Sequence, residues 1–167
     1  THRLIIETAC LTGMRHQELC RLRKDMIDFS KREVTLDVDL TKNGRERVIP
    51  LCASLCSKLE QLCLETPDDL VFCYRNPRTH KWEPYQSFAR FWTGARTRAN
   101  MADVRFHDLR HTFASWWVQS GGSLLMLKNI LGHSSLQMVQ RYAHLDTAGY
   151  HDEIKEVFGT QFRHSIE

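Results

Sequence analysis

The amino-acid sequence predicts a mainly α-helical domain with a small antiparallel β-sheet, an α+β fold class. Apolar residues recur at helical spacing through most of the chain. Only the segments 33–38 and 45–51 alternate, and the Asn43-Gly44 pair between them is typical of a hairpin turn. The chain has 167 residues, 42% hydrophobic and 26% charged, which suits a globular domain with a full core.

The first half of the chain places helices on either side of this hairpin. Helical spacing predicts helices over 3–11 and 16–22, which Gly13 separates. Pro50 ends the second strand of the hairpin because proline has no N–H to donate to a sheet. The next helix is marked by Leu55, Leu59, Leu62 and Cys63.

The middle of the chain predicts a third short strand over 70–74 and then an irregular loop over 76–84, bounded by two X-Pro pairs. From Tyr85 onward the pattern is helical, with one helix over 85–98 and a second that ends at a Gly-Gly pair. The second helix is expected to bury an apolar stripe. The stripe consists of Phe106, Leu109, Phe113, Trp116 and Trp117.

Three more helices complete the prediction. Ser123 caps one that runs over 123–131 until Gly132 stops it. A serine at position 134 or 135 caps the next, which contains Tyr142, and the last covers 147–158.

We expect one domain over 1–167, with 146–167 as a tail. Because the chain opens on a helical pattern without an initiator methionine, we expect a C-terminal fragment of a longer protein.

Composition limits the class of partner. Net charge is only +3, but arginines concentrate in 90–110 and acidic residues follow Tyr142. This suits a domain that binds phosphates, although two ordinary solvated faces explain the charge equally well. No apolar run approaches the roughly 20 residues of a membrane helix, so no membrane partner is expected. Six cysteines without a C-x-x-C favour free, mostly buried thiols in a reducing compartment over disulfides or metal.

The segment HDLRH at 107–111 holds the densest set of chemical groups. His107, Arg110 and His111 share one helix face, beside the apolar stripe and about 100° around the axis from it. A solvated basic face is the plain alternative. Two histidines one turn apart can also bind zinc, with His133 as a third ligand. Arg110 between those ligands would repel the metal, which weighs against zinc.

Other positions carry candidate groups with ordinary alternatives. Arg15 follows a glycine turn where it can reach an anion, and Glu18 can hold it, although surface ion pairs of this kind are common. Lys42, beside the hairpin turn, could give a proton to a leaving oxygen, or it could simply be solvated. His133 lies between two helices. Tyr142 follows nine residues later, where a core tyrosine with a satisfied hydroxyl is the alternative.

In combination these motifs resemble the tyrosine recombinases, the phage-integrase family of site-specific DNA recombinases. The resemblance covers almost the whole chain as that family's catalytic domain and implies that domain's fold. It is carried by TGMRHQELCRL at 12–22, TKNGR at 41–45, HDLRHTFAS at 107–115 and LGHSSLQMVQRYAH at 131–144. Each piece is weak alone, but the set in this order and spacing is specific.

The resemblance implies a role for each candidate residue. Tyr142 would attack the scissile phosphate and form a 3′-phosphotyrosyl link, while Arg15 and Arg110 hold the non-bridging oxygens. Lys42 would protonate the departing 5′ oxygen. The supporting groups would be His107 in proton transfer at the tyrosine, His133 in a hydrogen bond to the phosphate and Glu18 in orienting Arg15. His111 is set aside as a structural member of its motif.

This chemistry is reasonable for these residue types. A phenol with a pKa near 10 is a weak nucleophile unless cations or a base stabilise the phenolate. Guanidinium groups can make paired hydrogen bonds to the extra charge of a pentacoordinate phosphorus. Arginine and lysine would then neutralise charge and activate the leaving group, so no metal, other cofactor or ATP is expected.

The resemblance also implies partners and alternatives. Double-stranded DNA would be the substrate, with a homo-oligomer on it, a synapse of four protomers. The family usually carries an additional N-terminal DNA-clamping domain, which we do not expect within these 167 residues, and the tail 146–167 would dock in cis or in trans. A prokaryotic cytoplasm is the expected location. A type IB topoisomerase and a DNA-binding regulator that does not cut stay as alternatives, although the LGHSS spacing and the filled catalytic positions favour an integrase.

Overall fold

The computed structural model of the chain describes residues 1–41 and 44–145. Within these ranges the fold is mainly helical with small antiparallel sheets, which confirms the predicted class. The helices are α1 (His2–Thr12), α2 (His16–Cys20), α3 (Ala53–Glu65), α4 (Ala89–Arg98), α5 (Asp108–Gln119), α6 (Leu124–Leu131) and α7 (Gln137–Gln140). The strands are β1 (Ile27–Asp28), β2 (Glu33–Leu36), β3 (Arg47–Pro50), β4 (Cys73–Arg75) and β5 (Trp82–Pro84).

The predicted hairpin forms the centre of a three-stranded sheet. β2 and β3 pair antiparallel with Val34 opposite Ile49, and both side chains are fully buried. β2 ends earlier than predicted because the chain turns into a short 3-10 helix, Val38–Leu40, which leaves Val38 exposed. β1 adds a third strand on the far side of β2. The sequence did not predict it, since two residues are too few to show an alternation.

The middle of the chain differs from the prediction. The segment 76–84 is not an irregular loop, because its end returns as β5 and pairs with β4. Glu83 accepts hydrogen bonds from the Tyr74 hydroxyl at 3.0 Å and the Asn76 amide at 2.8 Å, which closes this second hairpin. The predicted strand over 70–74 is shifted to β4, with Leu70 in an isolated bridge to Arg23. The predicted helix over 85–98 begins only at Ala89.

Helix α5 packs along α1 and presents a wider buried face than predicted. Arg110 lies in the middle of that face, between Leu109 and Ala114, and is only 4% exposed. The arginine was expected to adjoin the buried face and instead lies within it, so only the predicted offset of about 100° is wrong. Trp116 was assigned to the stripe but is 52% exposed, because its position falls just outside the buried arc. A charged residue thus lies in the core while an aromatic one faces outward.

Glycine turns end the two helices that precede the candidate residues. Gly13 and Gly132 both adopt the left-handed conformation, at φ values of 64° and 63°, as the sequence predicted for helix stops. Ser123 caps α6 by accepting from the N–H of Leu125 at 3.2 Å. No serine side chain caps α7, and Tyr142 follows this helix instead of lying within it.

The remaining expectations concern the cysteines, the membrane and the tail. All six cysteines are free, and three of them are buried, so the expected burial holds for half of them. In the ranges 1–41 and 44–145, no helix has the length and apolar content needed to span a membrane. The helix predicted over 147–158 lies outside the described residues.

Gly13→Ala is expected to lower the free energy of unfolding by about 3 kcal/mol. A Cβ at this position would lie 2.6 Å from side-chain carbons of Leu131 and Phe113, in addition to the strain of a positive φ. Gly121→Ala is the matched control, because its φ is 79° and a Cβ there meets nothing within 4 Å. Urea unfolding measures both variants. Equal losses would contradict the close packing of α1 against α5 and α6.

Candidate active site

The Arg110 guanidinium joins the two glycine turns. From the buried face of α5 it donates to the carbonyl oxygen of Gly13 and to that of Leu131. Gly13 is two residues before Arg15, and Leu131 is two residues before His133. A single side chain in the core therefore sets the positions of two other candidate residues that are more than 100 residues apart in sequence.

Glu18 is the carboxylate at the centre of the site. It accepts from the backbone N–H of Arg15 at 2.6 Å and from its Nη1 at 3.0 Å, which closes a capping box at the start of α2. It also accepts two hydrogen bonds from Arg47, at 2.8 and 2.7 Å. The carboxylate side chain is 1% exposed and that of Arg47 is 6% exposed. The ion pair expected between Glu18 and Arg15 is present, but Glu18 makes its more buried ion pair with Arg47.

Sequence reasoning missed Arg47, although a signal for it existed. In β3 the side chains alternate, so Arg47 and Ile49 face the interior while Val48 and Pro50 face outward. An arginine at an inward position of a strand needs a buried acceptor such as a carboxylate, because an unpaired buried charge is costly. The alternation of the hairpin strand is therefore the signal that indicates a buried acidic partner, and Glu18 is that partner.

Positive charge exceeds negative charge in this cluster, and the pKa values reflect the imbalance. Burial, and then the charges of Arg15 and Arg47, lower the pKa of Arg110 to about 9. Burial, and then the positive charges of Arg110, Arg15 and Arg47, lower the pKa of His133 to about 4. Its buried Nδ1 has no hydrogen-bond partner within 1–41 and 44–145. His133 is therefore a neutral imidazole at neutral pH, beside cations that attract an anion.

Tyr142 lies at the edge of this cluster, 7% exposed, after the end of α7. Burial raises the pKa of its phenol, and the charges of Arg141 and Arg110 oppose that effect only in part. Its hydroxyl is hydrogen-bonded to Nδ1 of His111, the residue that sequence reasoning set aside. The exposed His107 lies behind His111, with ring centroids 5.3 Å apart. The tyrosine is thus a protonated phenol held by an imidazole.

The cluster opens into a cavity of about 650 Å³ between the β2–β3 hairpin and α6. Lys42 lies outside the described residues, but its neighbours Thr41 and Arg45 line this cavity together with Arg15 and His133. A larger cavity of about 1180 Å³, between α1, α4 and the β4–β5 hairpin, shares no lining residue with it. Within the described part of the chain, no three His, Cys, Asp or Glu side chains form a metal-ligand group.

Comparisons with known proteins bear on the family and the fold of this chain. The model of the phage integrase family matches residues 1–148. The integrase of Salmonella phage P22 is 30% identical over 167 residues, covering 93% of this chain and 43% of that protein. The catalytic domain of bacteriophage HP1 integrase superposes with a TM-score of 0.63 at 25% identity, covering 93% of this chain and 80% of that one.

A second solved structure extends the comparison. The Tn1549 transposon integrase, solved in complex with a circular intermediate DNA, gives a TM-score of 0.73 at 18% identity. The match covers 95% of this chain and 58% of that chain. The chain spans about half the length of the curated relatives it matches.

Glu18→Gln is expected to lower the free energy of unfolding by about 3–5 kcal/mol at pH 7, because it leaves Arg47 buried beside a neutral amide. Burial raises the pKa of Glu18, but the hydrogen bonds and charges of Arg47 and Arg15 outweigh it, so the net pKa is below 4.5. The stabilisation by this carboxylate is therefore fully present above the pKa of Glu18 in the unfolded chain. It is lost as the pH falls through the lower pKa of Glu18 in the folded protein. Glu18→Gln removes this part of the acid sensitivity.

Arg47→Met and the double variant complete a thermodynamic cycle for the pair. The double variant is expected to lose less stability than the sum of the single losses, because no buried charge is left between Arg47 and Glu18. Urea unfolding between pH 3 and 7 measures all four proteins. Additive losses with an unchanged acid profile would show that the pair contributes nothing specific.

Proposed function

The chain belongs to the phage integrase family, the tyrosine recombinases, and we propose that it is the catalytic domain with which a site-specific recombinase or integrase cuts and rejoins double-stranded DNA. One observation carries the proposal. Arg110 donates hydrogen bonds to the turns that precede Arg15 and His133. The next residue of the same helix, His111, is hydrogen-bonded to the hydroxyl of Tyr142. These contacts support a site in which the cations and the nucleophile act on one phosphate.

Binding of the scissile phosphate would relieve the excess of positive charge. Arg15 donates to one non-bridging oxygen while Glu18 holds its guanidinium in place. Arg110 has hydrogen-bonding N–H groups beyond those used on the two carbonyls, and it serves the other oxygen. His133 adds a hydrogen bond from its imidazole. The anion raises the pKa of this histidine from about 4, because it offsets the neighbouring cations.

Cleavage follows from the position of the phenol. The Tyr142 oxygen attacks phosphorus as its proton passes to His111, and His107 beside that ring assists the transfer. The bond from phosphorus to the 5′ oxygen breaks, and Lys42 gives that oxygen a proton. Arg15 and Arg110 stabilise the additional charge of the pentacoordinate state. The 3′-phosphotyrosyl link keeps the energy of the phosphodiester, so the reverse attack by a 5′ hydroxyl rejoins strands without ATP or metal.

The assembly that performs strand exchange is part of the same proposal. We propose a synapse of four protomers on DNA in a prokaryotic cytoplasm, with the tail 146–167 docked on its own domain or on a neighbouring one. DNA as a partner is supported by the surplus of cations in the site and by the Tn1549 integrase, which was solved with DNA. The match to a phage integrase supports the assignment to mobile DNA.

Covalent capture of DNA tests the nucleophile. A pool of duplexes with a nick beside a randomised segment lets the cleaved 5′ fragment diffuse away, so any phosphotyrosyl complex is trapped. The 167-residue chain is expected to form a complex that survives SDS, and sequencing of the captured DNA identifies the substrate. Tyr142→Phe is expected to remove the complex.

Two controls make that result specific. Tyr74→Phe, in the β4–β5 hairpin, should leave the amount of trapped DNA unchanged, since the Tyr74 hydroxyl donates to Glu83 in that same hairpin. EDTA should leave trapping intact, because Arg15, Arg110 and Lys42 perform the roles of a metal. Undiminished trapping by Tyr142→Phe would overturn the proposed nucleophile, and inhibition by EDTA would favour the histidine-bound metal instead.

The two histidines of α5 can be separated by substitution. His111→Asn keeps an acceptor near the position of Nδ1 but cannot take a proton, so single-turnover cleavage is expected to fall about 100-fold. His107→Asn is expected to have a smaller effect, because His107 contacts His111 and not Tyr142. Quench-flow cleavage of the captured sequence measures both. A larger loss in His107→Asn than in His111→Asn would contradict the proposed order of proton transfer.

A further inference from the structure

The cavity beside the site contains two cations that the proposed mechanism does not use. Arg45 lies just before β3, and Lys128 lies on α6, so the two approach the cavity from opposite walls. In the ranges 1–41 and 44–145, neither side chain makes an ion pair or a hydrogen bond to another side chain. Both therefore have their full donor capacity directed toward a space that already contains Arg15 and His133.

The charge of the cavity is strongly one-sided. Four of its lining residues carry fixed positive charge, whereas the exposed Glu46 is its one acidic lining residue among the described residues. Glu18 is ion-paired with Arg47 and Arg15 and offsets one of these four charges, and Glu46 offsets another, so an excess of two positive charges remains. Cations gathered on facing walls repel each other unless an anion separates them. The cavity is thus suited to an anion in addition to the one between Arg15 and Arg110.

We propose that Arg45 and Lys128 form a second phosphate subsite, which binds a phosphate flanking the scissile one on the cleaved strand. The proposal rests on the function proposed above and deepens it. A DNA strand carries one phosphate per roughly 3.4 Å of helix axis. A strand whose scissile phosphate lies at Arg15 therefore brings a neighbouring phosphate within one nucleotide of it. A volume of about 650 Å³ is in the range of sites that hold such a segment.

The subsite would fix which phosphate lies against Tyr142. Phosphate contacts set the register and orientation of DNA without selecting its sequence. A strand held on two walls beside the reacting bond cannot slide by one nucleotide without leaving Arg45 and Lys128 unpaired. The two residues are therefore positioning groups for the substrate. Their loss should weaken DNA binding and make the position of cleavage less uniform, with a smaller effect on the rate of the chemical step.

The salt dependence of DNA binding tests the cation pair. Fluorescence anisotropy with a random-sequence duplex is recorded for the Tyr142→Phe protein, so that no covalent step contributes. Lys128→Gln and Arg45→Gln are each expected to weaken binding about five- to tenfold at 0.1 M salt and to reduce the slope of log K against log salt by about one. Lys81→Gln, an exposed change in the β4–β5 loop, is the control and should leave the slope unchanged.

A substitution in the DNA identifies the phosphate. Single methylphosphonates, which remove one charge, are placed on either side of the cleavage position in the captured sequence. At one of the two positions, the loss of binding is expected to be non-additive with Lys128→Gln, since the two changes remove the same contact. Additive losses at both positions, or equal slopes in all three variants, would overturn the subsite.

The outcomes also separate this proposal from the function it rests on. If the wild-type protein traps DNA but the binding losses from Lys128→Gln and the methylphosphonates are additive, only the subsite is contradicted. Failure to trap DNA would contradict both the recombinase proposal and the subsite. If Lys128→Gln and Arg45→Gln still reduced the salt slope in that case, the two residues would be general phosphate contacts only. Unfolding of each variant in urea, with unchanged midpoints, excludes a loss of fold as the cause.

Discussion

The structure depends on the burial of more positive charge than negative charge around a single carboxylate. Glu18 is nearly inaccessible, and its oxygens bind Arg47 from the hairpin and Arg15 from the start of α2. Arg110, equally buried, is compensated by backbone carbonyls instead of a second acid. Because buried charges require partners, the chain must bring the hairpin and both glycine turns together to satisfy them. Folding and assembly of the site are therefore the same event.

The same surplus of positive charge determines the protonation states of the other groups in the site. The surplus of cations keeps His133 neutral, and burial keeps Tyr142 protonated against His111. In the proposed reaction a phosphate entering the cluster offsets the surplus of positive charge and raises the pKa of His133, and ionisation of Tyr142 then depends on its proton passing to His111. In that reaction the pentacoordinate state would carry more negative charge than the bound DNA, so the same cations would stabilise it more than the substrate.

Periodicity and turn chemistry were sufficient for the main frame. α1, α3, α6 and the central hairpin follow from helical spacing, glycine stops and an Asn-Gly turn. β1 and the β4–β5 pair were missed because strands of two or three residues depend on partners that local patterns do not reveal. Arg110 was expected beside the core face and lies within it, where two carbonyls receive its guanidinium. Arg47 was omitted because a charged residue next to a turn is assumed to face solvent, whereas here a buried carboxylate receives its guanidinium. His111 was set aside as a structural member of its motif, and its contact with Tyr142 becomes visible only in the fold.

A structure with a pentacoordinate phosphate mimic tests the central claim most directly. Orthovanadate soaked with a nicked duplex is expected to place vanadium between the guanidiniums of Arg15 and Arg110, with the Tyr142 oxygen as one apical ligand. His133 should then contact a vanadate oxygen. Vanadate bound elsewhere, or bound between the arginines with the Tyr142 hydroxyl still on His111 and out of reach, would contradict the convergence of cations and nucleophile on one phosphate.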